Sequence, residues 1–245
     1  MKMIKMILLL LLSAFVLCTH ADQEFGVPFH ADLHLQKQGF SLGYSHKYRQ
    51  AVWVAYTLTA EHLQMKQVRR RDKFKADPAV KKRPVRPRDY ARSGYDKGHL
   101  APAADMTYSF KSMTNSFLMT NISPQVPGCN RGIWKRLETQ VRRWAVREEK
   151  VYVITGPVFS GRLYRMKKTR IPIPVAFYKI IFDLTPPMKM IGFVIPNQTS
   201  KRRVVSFAVP VDEVERITGY DFFNGLDDEL EEKLERSCDF QLWER

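Results

Sequence analysis

Internal repeats, low-complexity stretches and an excess of acidic residues are all missing from this 245-residue sequence. The first two absences argue against a fibrous or disordered chain, and 44% hydrophobic residues can fill one sizeable core. With only 25 Asp and Glu against 40 Lys and Arg, the formal charge is +15. Such an excess indicates a polyanionic partner. The alternatives are charge that serves solubility alone, and a secreted cationic protein that binds an anionic cell-surface polymer or membrane.

Long hydrophobic runs are confined to the N-terminus. Lys2 and Lys5 precede an apolar stretch at residues 6–17, and small residues follow at 19–21. This order is typical of a secretory signal peptide at residues 1–21, whereas a membrane anchor needs roughly 20 apolar residues to span a bilayer. We therefore predict a periplasmic or secreted protein, with one mature domain at residues 22–245, a formal charge of +13 and no stable membrane association after cleavage.

Cysteines are few, and only Cys129 and Cys238 remain after residue 21. In an oxidising compartment the two can pair, and closing a loop of about a hundred residues would contribute up to roughly 4–5 kcal/mol of stability. The compartment and the number of cysteines are the only grounds for this disulfide, so it is a hypothesis.

The periodicity of apolar residues predicts a sheet with several helices. Strands are expected at residues 51–59, 151–159, 175–184, 190–196 and 203–209. Spacings of three and four residues predict a helix over 131–150, with Asn130 at its N-cap, and two more helices at 211–220 and 227–237. Because strands and helices follow in irregular order, we predict the α+β class.

One candidate site segment spans residues 90–106 and follows two basic clusters at 66–75 and 81–92. Basic runs are usually solvated loops, but next to an active site they would guide a phosphate backbone towards it. Within the segment, His99 is bracketed by Asp, Gly and Pro, which is typical of a strand end or turn. A neutral imidazole can take a proton from water, as phosphodiester hydrolysis requires, although a lone histidine is more often structural.

A second candidate segment, residues 121–138, places Asn130 at the predicted helix start and Glu138 two turns along. Eight residues complete slightly more than two turns, so the two side chains would lie on neighbouring faces. Mg²⁺ keeps several waters and takes few protein ligands, so Asn130 could bind the ion directly while Glu138 holds one of its waters. A helix cap is the alternative role of Asn130.

Together the two segments resemble the DNA/RNA non-specific endonuclease family, the ββα-metal nucleases that include mitochondrial endonuclease G. The family combines an Asp-Arg-Gly-His block, an Asn-Ile-Ser/Thr-Pro-Gln block, and an Asn followed eight residues later by Glu within Trp-x-x-Leu-Glu. The matching segments here are DKGH (96–99), NISPQ (121–125) and NRGIWKRLE (130–138), with later similarities at 155–159, 173–183 and 211–223. The resemblance implies a central, mainly antiparallel sheet flanked by helices.

The resemblance also implies a role for each matching residue. It makes His99 the general base, Asn130 the direct ligand of one hydrated Mg²⁺, and Glu138 an acceptor for waters on that ion. Asn121 would fix the backbone beside His99. Arg142, one turn beyond Glu138, would neutralise charge on the phosphate or the leaving oxygen, with a solvated helix-face charge as the alternative.

Three further residues complete the predicted site. Lys97 is assigned to catalysis, but it stands where the best-known members have Arg, and it lacks the planar fork that grips a phosphate. Asp96, at the start of the same block, is assigned to substrate binding. Arg71 is assigned to substrate binding as well, although it matches a family Arg only after a shift in the alignment.

The implied activity is an exported endonuclease that hydrolyses DNA and RNA without strong sequence preference. It would use Mg²⁺, with Mn²⁺ as a substitute, leave 5′-phosphate products and contact the phosphate backbone. The alternative is a non-catalytic nucleic-acid-binding protein that keeps the fold, although intact His99, Asn130 and Glu138 argue against it. The oligomeric state cannot be derived from the sequence.

Overall fold

A computed structural model describes residues 25–65 and 67–244. Its main element is a seven-stranded antiparallel sheet in the order β1-β2-β3-β6-β7-β8-β9, and β4 pairs with β5 in a second, two-stranded sheet. The strands are β1 (Leu33–Lys37), β2 (Phe40–Ser45), β3 (Gln50–Thr59), β4 (Asp96–His99), β5 (Ile122–Gln125), β6 (Lys150–Val158), β7 (Ala176–Asp183), β8 (Lys189–Pro196) and β9 (Ala208–Val209).

Five α-helices accompany the sheets within the described residues. They are α1 (Ala60–Gln64), α2 (Phe110–Ser116), α3 (Lys135–Arg147), α4 (Val211–Thr218) and α5 (Asp228–Glu235). A π-helical turn, Cys129–Trp134, leads directly into α3. The predicted α+β class and the mainly antiparallel sheet flanked by helices are confirmed.

The interior strands of the large sheet are buried on both faces, and successive side chains of each strand point to opposite sides. Along β7, Phe177 and Ile181 join the core beneath α3, whereas Tyr178 and Ile180 join the core beneath α4 and α5. Each core is thus a layer between the sheet and helices. The candidate site lies on the α3 side.

Several sequence predictions hold with shifted boundaries. The helix predicted at 211–220 is α4, and Gly219 ends it in the left-handed conformation at φ 70°. The helix predicted at 227–237 is α5, whose N-cap Asp227 accepts a hydrogen bond from the backbone N–H of Leu230 at 3.3 Å. The predicted strand at 203–209 is wrong over most of its length. Val204–Phe207 forms a 3₁₀ turn, and only two residues join the sheet, because a short apolar run does not by itself distinguish strand from helix.

The disulfide hypothesis is wrong, since Cys129 and Cys238 are free thiols. Cys129 is buried, and its thiol donates to the carbonyl oxygen of Pro196 at 3.6 Å. Burial raises the pKa of Cys129 to about 11, which disfavours the thiolate that forms disulfides.

The predicted signal peptide at residues 1–21 lies outside the described residues. Its cleavage, and the interpretation of residues 22–245 as one domain, stay predictions. None of the helices within the described residues is long and apolar enough to cross a membrane.

Candidate active site

A cleft of about 610 Å³ brings together most of the residues that the sequence predicted. It lies where β4 meets the π-helical turn and α3, and five Lys or Arg and three Asp or Glu side chains line it. Six predicted residues are among the lining: Asp96, Lys97, His99, Asn130, Glu138 and Arg142. Asn121 and Arg71 are not.

His99 is the last residue of β4, in agreement with the predicted strand end. Its ring packs against Phe74 and Phe117, with centroids 5.4 and 4.9 Å away. Nε2 is buried and has no hydrogen-bond partner among the described residues. Burial, together with the charge of Arg70, lowers the pKa of His99 to about 3. The imidazole is therefore neutral at pH 7 and available to accept a proton.

Asn121 does not line the cleft but fixes the backbone that follows His99. Its buried side chain accepts a hydrogen bond from the backbone N–H of Ala101 and donates to the carbonyl oxygens of Ala101 and Ser116, each at 2.9 Å. Its own carbonyl oxygen accepts from the N–H of Leu100 at 3.0 Å. These bonds give Asn121 a positioning role.

Asn130 lies inside the π-helical turn, so the predicted N-cap is wrong. Gly132, with φ −106° and ψ −108°, interrupts the helical geometry, and the α-helical spacing from Asn130 to Glu138 does not apply. The side-chain amide of Asn130 donates to Asp96 Oδ2 at 2.9 Å. Because the nitrogen is engaged in this way, Oδ1 is the atom that remains for a cation.

Asp96 contacts two neighbouring side chains of the protein. Besides Asn130, it binds Arg131 through two hydrogen bonds of 2.8 and 2.6 Å. Partial burial opposes ionisation, but the hydrogen bonds from Arg131 and Asn130 prevail and lower the pKa of Asp96. A carboxylate held in this way orients Asn130. The predicted contact of Asp96 with substrate remains a prediction.

Arg142 is not a solvated helix-face charge. Its Nη1 donates to Asp105 Oδ1 at 2.9 Å and its Nη2 to Thr139 Oγ1 at 3.1 Å. Asp105 is 2% exposed and also accepts a hydrogen bond from the Tyr56 hydroxyl at 2.9 Å. The guanidinium is therefore fixed at the wall of the cleft.

Glu138 also lines the cleft, and within the described residues no donor forms a hydrogen bond with its carboxylate. Burial raises the pKa of Glu138 to about 7, whereas the charges of Lys179 and Arg142 oppose the rise. Lys179 was missed by the sequence analysis. It is fully buried, its Nζ lies 4.9 Å from the centroid of the Trp134 ring, and burial lowers its pKa to about 8. A lysine within the apolar run 175–184 was the available signal.

A family model described as DNA/RNA non-specific endonuclease matches residues 20–229. The chain belongs to this family.

Relatives and a solved structure agree with the assignment. Nuclease C1 of Cunninghamella echinulata var. echinulata is 34% identical over 224 residues, which cover 83% of this chain and 88% of that protein. Human mitochondrial endonuclease G is 31% identical over 211 residues, covering 80% and 71%. A chain in the crystal structure of the EndoG/EndoGI complex superposes with a TM-score of 0.80 at 30% identity, covering 85% and 93%. The two strands β4 and β5, followed by the π-helical turn and α3, thus form the ββα unit of this nuclease.

The donor set of the cleft fits the metal dependence that is general in this family. An amide oxygen of Asn130 and an unpaired carboxylate of Glu138 are hard oxygen ligands, which suit a divalent cation such as Mg²⁺.

Arg71, predicted from the sequence to bind substrate, lies outside the cleft of the nuclease, and its neighbour Arg70 lines the cleft. The guanidinium of Arg71 lies over Phe110, 5.4 Å from the ring centroid and outside the cleft. Arg70 lines the cleft and lies over Phe117 at 5.6 Å. The contact of Arg71 with substrate remains a prediction, and Arg70 is a cleft residue that was not predicted from the sequence.

A basic track extends from the cleft of the nuclease along α3. Its two grooves, of about 410 and 470 Å³, share residues with each other, and the first shares Arg131 and Lys135 with the cleft. The cations of the track are Arg131, Lys135, Arg136, Arg143, Lys201, Arg202 and Arg203. No residue of the basic cluster at 81–92 lines the cleft. The sequence does not show this track as one basic run. Its cations are spaced along α3, and folding brings residues 201–203 next to that helix.

Proposed function

We propose that this family member is an exported endonuclease that hydrolyses DNA and RNA with one Mg²⁺ ion and leaves 5′-phosphates. One observation carries the proposal. A neutral imidazole, an oriented amide and an unpaired carboxylate line a single cleft together with five cationic side chains. These groups suit water, a metal ion and phosphates rather than base edges, which supports cleavage without strong sequence preference.

In the proposed reaction, the neutral imidazole of His99 takes a proton from the attacking water. The water oxygen bonds to phosphorus while the bond from phosphorus to the 3′-oxygen breaks. The departing 3′-oxygen takes a proton from solvent, which leaves a 3′-hydroxyl and a 5′-phosphate. Lys97 and Arg142 offset the charge of the phosphate. Asn130 would hold Mg²⁺ directly and Glu138 would hold it through water. When bound, the ion supplies positive charge that stabilises the departing oxygen.

The test is cleavage of plasmid DNA and of RNA by protein purified from residue 22 onwards. We expect cutting of both with Mg²⁺, loss of cutting with EDTA, recovery with excess Mg²⁺ or Mn²⁺, and product ends that a 5′-phosphate-dependent ligase or exonuclease accepts. Intact substrates together with salt-sensitive binding would favour the non-catalytic nucleic-acid-binding protein instead.

The proposed export is supported by the order of charge, apolar run and small residues at positions 1–21. Full-length protein expressed in a bacterial host should be recovered outside the cytoplasm with an N-terminus close to Asp22. A product that keeps Met1 and stays with the cytoplasmic fraction would contradict export.

A further inference from the structure

A group of carboxylates lies between α4 and α5, on the opposite side of the large sheet from the nuclease cleft. Asp212 and Glu215 of α4 and Glu235 of α5 each provide an oxygen, and the three oxygens lie within 4.8 Å of one another. They line a cleft of about 330 Å³ that shares no residue with the catalytic one. In a chain whose formal charge is +15, this local excess of acid is unexpected.

The buried member, Glu235, lacks a partner of its own. It is 4% exposed, and its Oε1 has no hydrogen-bond donor among the described residues. Arg236 is the cation among the residues that line this cleft, and it pairs with Glu232. A buried carboxylate without a donor or counter-charge is costly unless it binds a proton or a cation.

Glu215 is held in place by the chain that follows α4. Its Oε1 accepts a hydrogen bond from the backbone N–H of Phe222 at 2.7 Å. This bond fixes the carboxylate between the two helices, and Asp212, one helical turn earlier, is exposed to solvent. Within the group, Glu235 is therefore buried, Glu215 is held by its hydrogen bond, and Asp212 is open to solvent.

We propose that Asp212, Glu215 and Glu235 bind a divalent cation, best matched by Ca²⁺, that joins α4 to α5. Ca²⁺ takes six to eight oxygen ligands at roughly 2.3–2.6 Å in flexible geometry, whereas Mg²⁺ demands a near-ideal octahedron at about 2.1 Å. Three carboxylate oxygens from two separate helices, within 4.8 Å of one another, meet the looser requirement of Ca²⁺. Waters in the cleft would complete the coordination. Three carboxylates open to water on one side predict a dissociation constant on the order of 10⁻⁴ M.

Carboxylates this close repel one another, and the burial of Glu235 adds to the cost of its charge. A bound cation would offset both effects. Because α4 and α5 both contact β8, the ion would secure this helical layer against the sheet.

The experiment is calorimetric titration of CaCl₂ into metal-free protein, together with thermal unfolding in EDTA and in 10 mM CaCl₂. Wild type should bind Ca²⁺, and its unfolding midpoint should rise by roughly 5–10 °C at about a hundred times the dissociation constant. Glu235→Gln and Asp212→Asn should lose this binding and this shift. Glu229→Gln removes an exposed acid of α5 outside the cleft and should keep both.

Asn130→Ala separates the two sites, because it removes the proposed ligand in the catalytic cleft and should leave the α4–α5 binding intact. If Glu235→Gln does not fold, the exposed Asp212→Asn decides the question. Ca²⁺ binding and stabilisation that persist in Asp212→Asn, or that disappear in Asn130→Ala, would overturn the proposal. So would a wild-type midpoint that Ca²⁺ does not change, because an ion that binds the folded protein must raise it.

Discussion

Asp96 accepts hydrogen bonds from Asn130 and Arg131, and in this way it determines which atom of Asn130 remains for a cation. Asp96→Ala removes this constraint, and we expect the Mg²⁺ concentration for half-maximal cleavage to rise about 10–100-fold. A Mg²⁺ titration of the cleavage rate measures the change. Asp72→Ala removes another carboxylate of the same cleft and should have a much smaller effect. An unchanged Mg²⁺ requirement in Asp96→Ala would show that orientation of Asn130 does not depend on this carboxylate.

The raised pKa of Glu138 predicts a second residue-level effect. Its carboxyl group is mostly protonated at pH 6 and ionised at pH 8, because its pKa is about 7. Only the ionised form can hold a hydrated cation, so we expect the Mg²⁺ requirement to increase as pH falls below 7, by up to about tenfold per unit. His99, with a pKa of about 3, does not titrate in this range.

Cleavage rates over a range of Mg²⁺ concentrations at pH 6, 7 and 8 test this expectation. Lys179→Met removes a buried charge that opposes the rise in the pKa of Glu138, so the pH dependence should move to higher pH. A Mg²⁺ requirement that stays flat from pH 6 to 8 would contradict the assignment of Glu138.

At the scale of elements, sequence periodicity predicted the strands with the strongest apolar pattern. These are the interior strands β3, β6, β7 and β8. They are almost wholly buried, which requires apolar side chains. The edge strand β1 alternates intermediate and exposed residues and was missed. β4 and β5 have four residues each, including Gly98 and Pro124, so they were recognisable from motifs and not from periodicity.

The candidate site was predictable from the sequence only where its residues belong to motifs. His99, Asn130 and Glu138 lie within recognisable motifs, whereas Lys179 belongs to β7, outside those motifs, and acts on Glu138 through its charge. Arg70 lies in a loop where no motif distinguishes it from its neighbours Arg69 and Arg71. The π-helical turn before α3 has six residues, which is too short for a periodic pattern to appear in the sequence. Tertiary contacts, and not local preferences, determine these features.

The C-terminal segment, Phe240–Trp243, packs against the core on the α3 side. Trp243 is 1% exposed, its ring centroid lies 4.9 Å from that of Trp144, and its carbonyl oxygen accepts a hydrogen bond from Trp144 Nε1 at 2.6 Å. Trp243→Ala should therefore lower the free energy of unfolding by about 3–5 kcal/mol in urea denaturation. Val146→Ala truncates an exposed side chain of α3 and should change it by less than about 0.5 kcal/mol. A loss below about 1 kcal/mol for Trp243→Ala would mean that the segment adds little to the core.

At the scale of the whole molecule, charge is distributed unequally over the two helical layers. The cleft and the basic track occupy the α3 side, and the carboxylate group between α4 and α5 occupies the other. A polyanion is therefore attracted to the side that carries His99. Affinity based on phosphate contacts falls steeply with salt, with a slope of about −0.9 per contact in a plot of log affinity against log salt.

Arg143 tests whether the basic track contributes to this slope. It is exposed on α3, and Arg143→Gln in a His99→Ala background should make the slope shallower by about one unit. Fluorescence anisotropy with a labelled DNA duplex over a salt series gives the slope. Lys233→Gln removes one exposed charge from α5 and should leave it unchanged. Equal effects of the two variants would show that net charge matters and the track does not.

The most direct test of the central claim is the rate of plasmid cleavage by His99→Ala with saturating Mg²⁺, alongside circular dichroism and binding measurements. Loss of the base should reduce the rate by at least about 10²–10⁴-fold, while the spectrum and the affinity for DNA stay close to those of wild type. Cleavage by folded His99→Ala at a rate near that of wild type would contradict the assignment of His99 as the general base and, with it, the proposed mechanism.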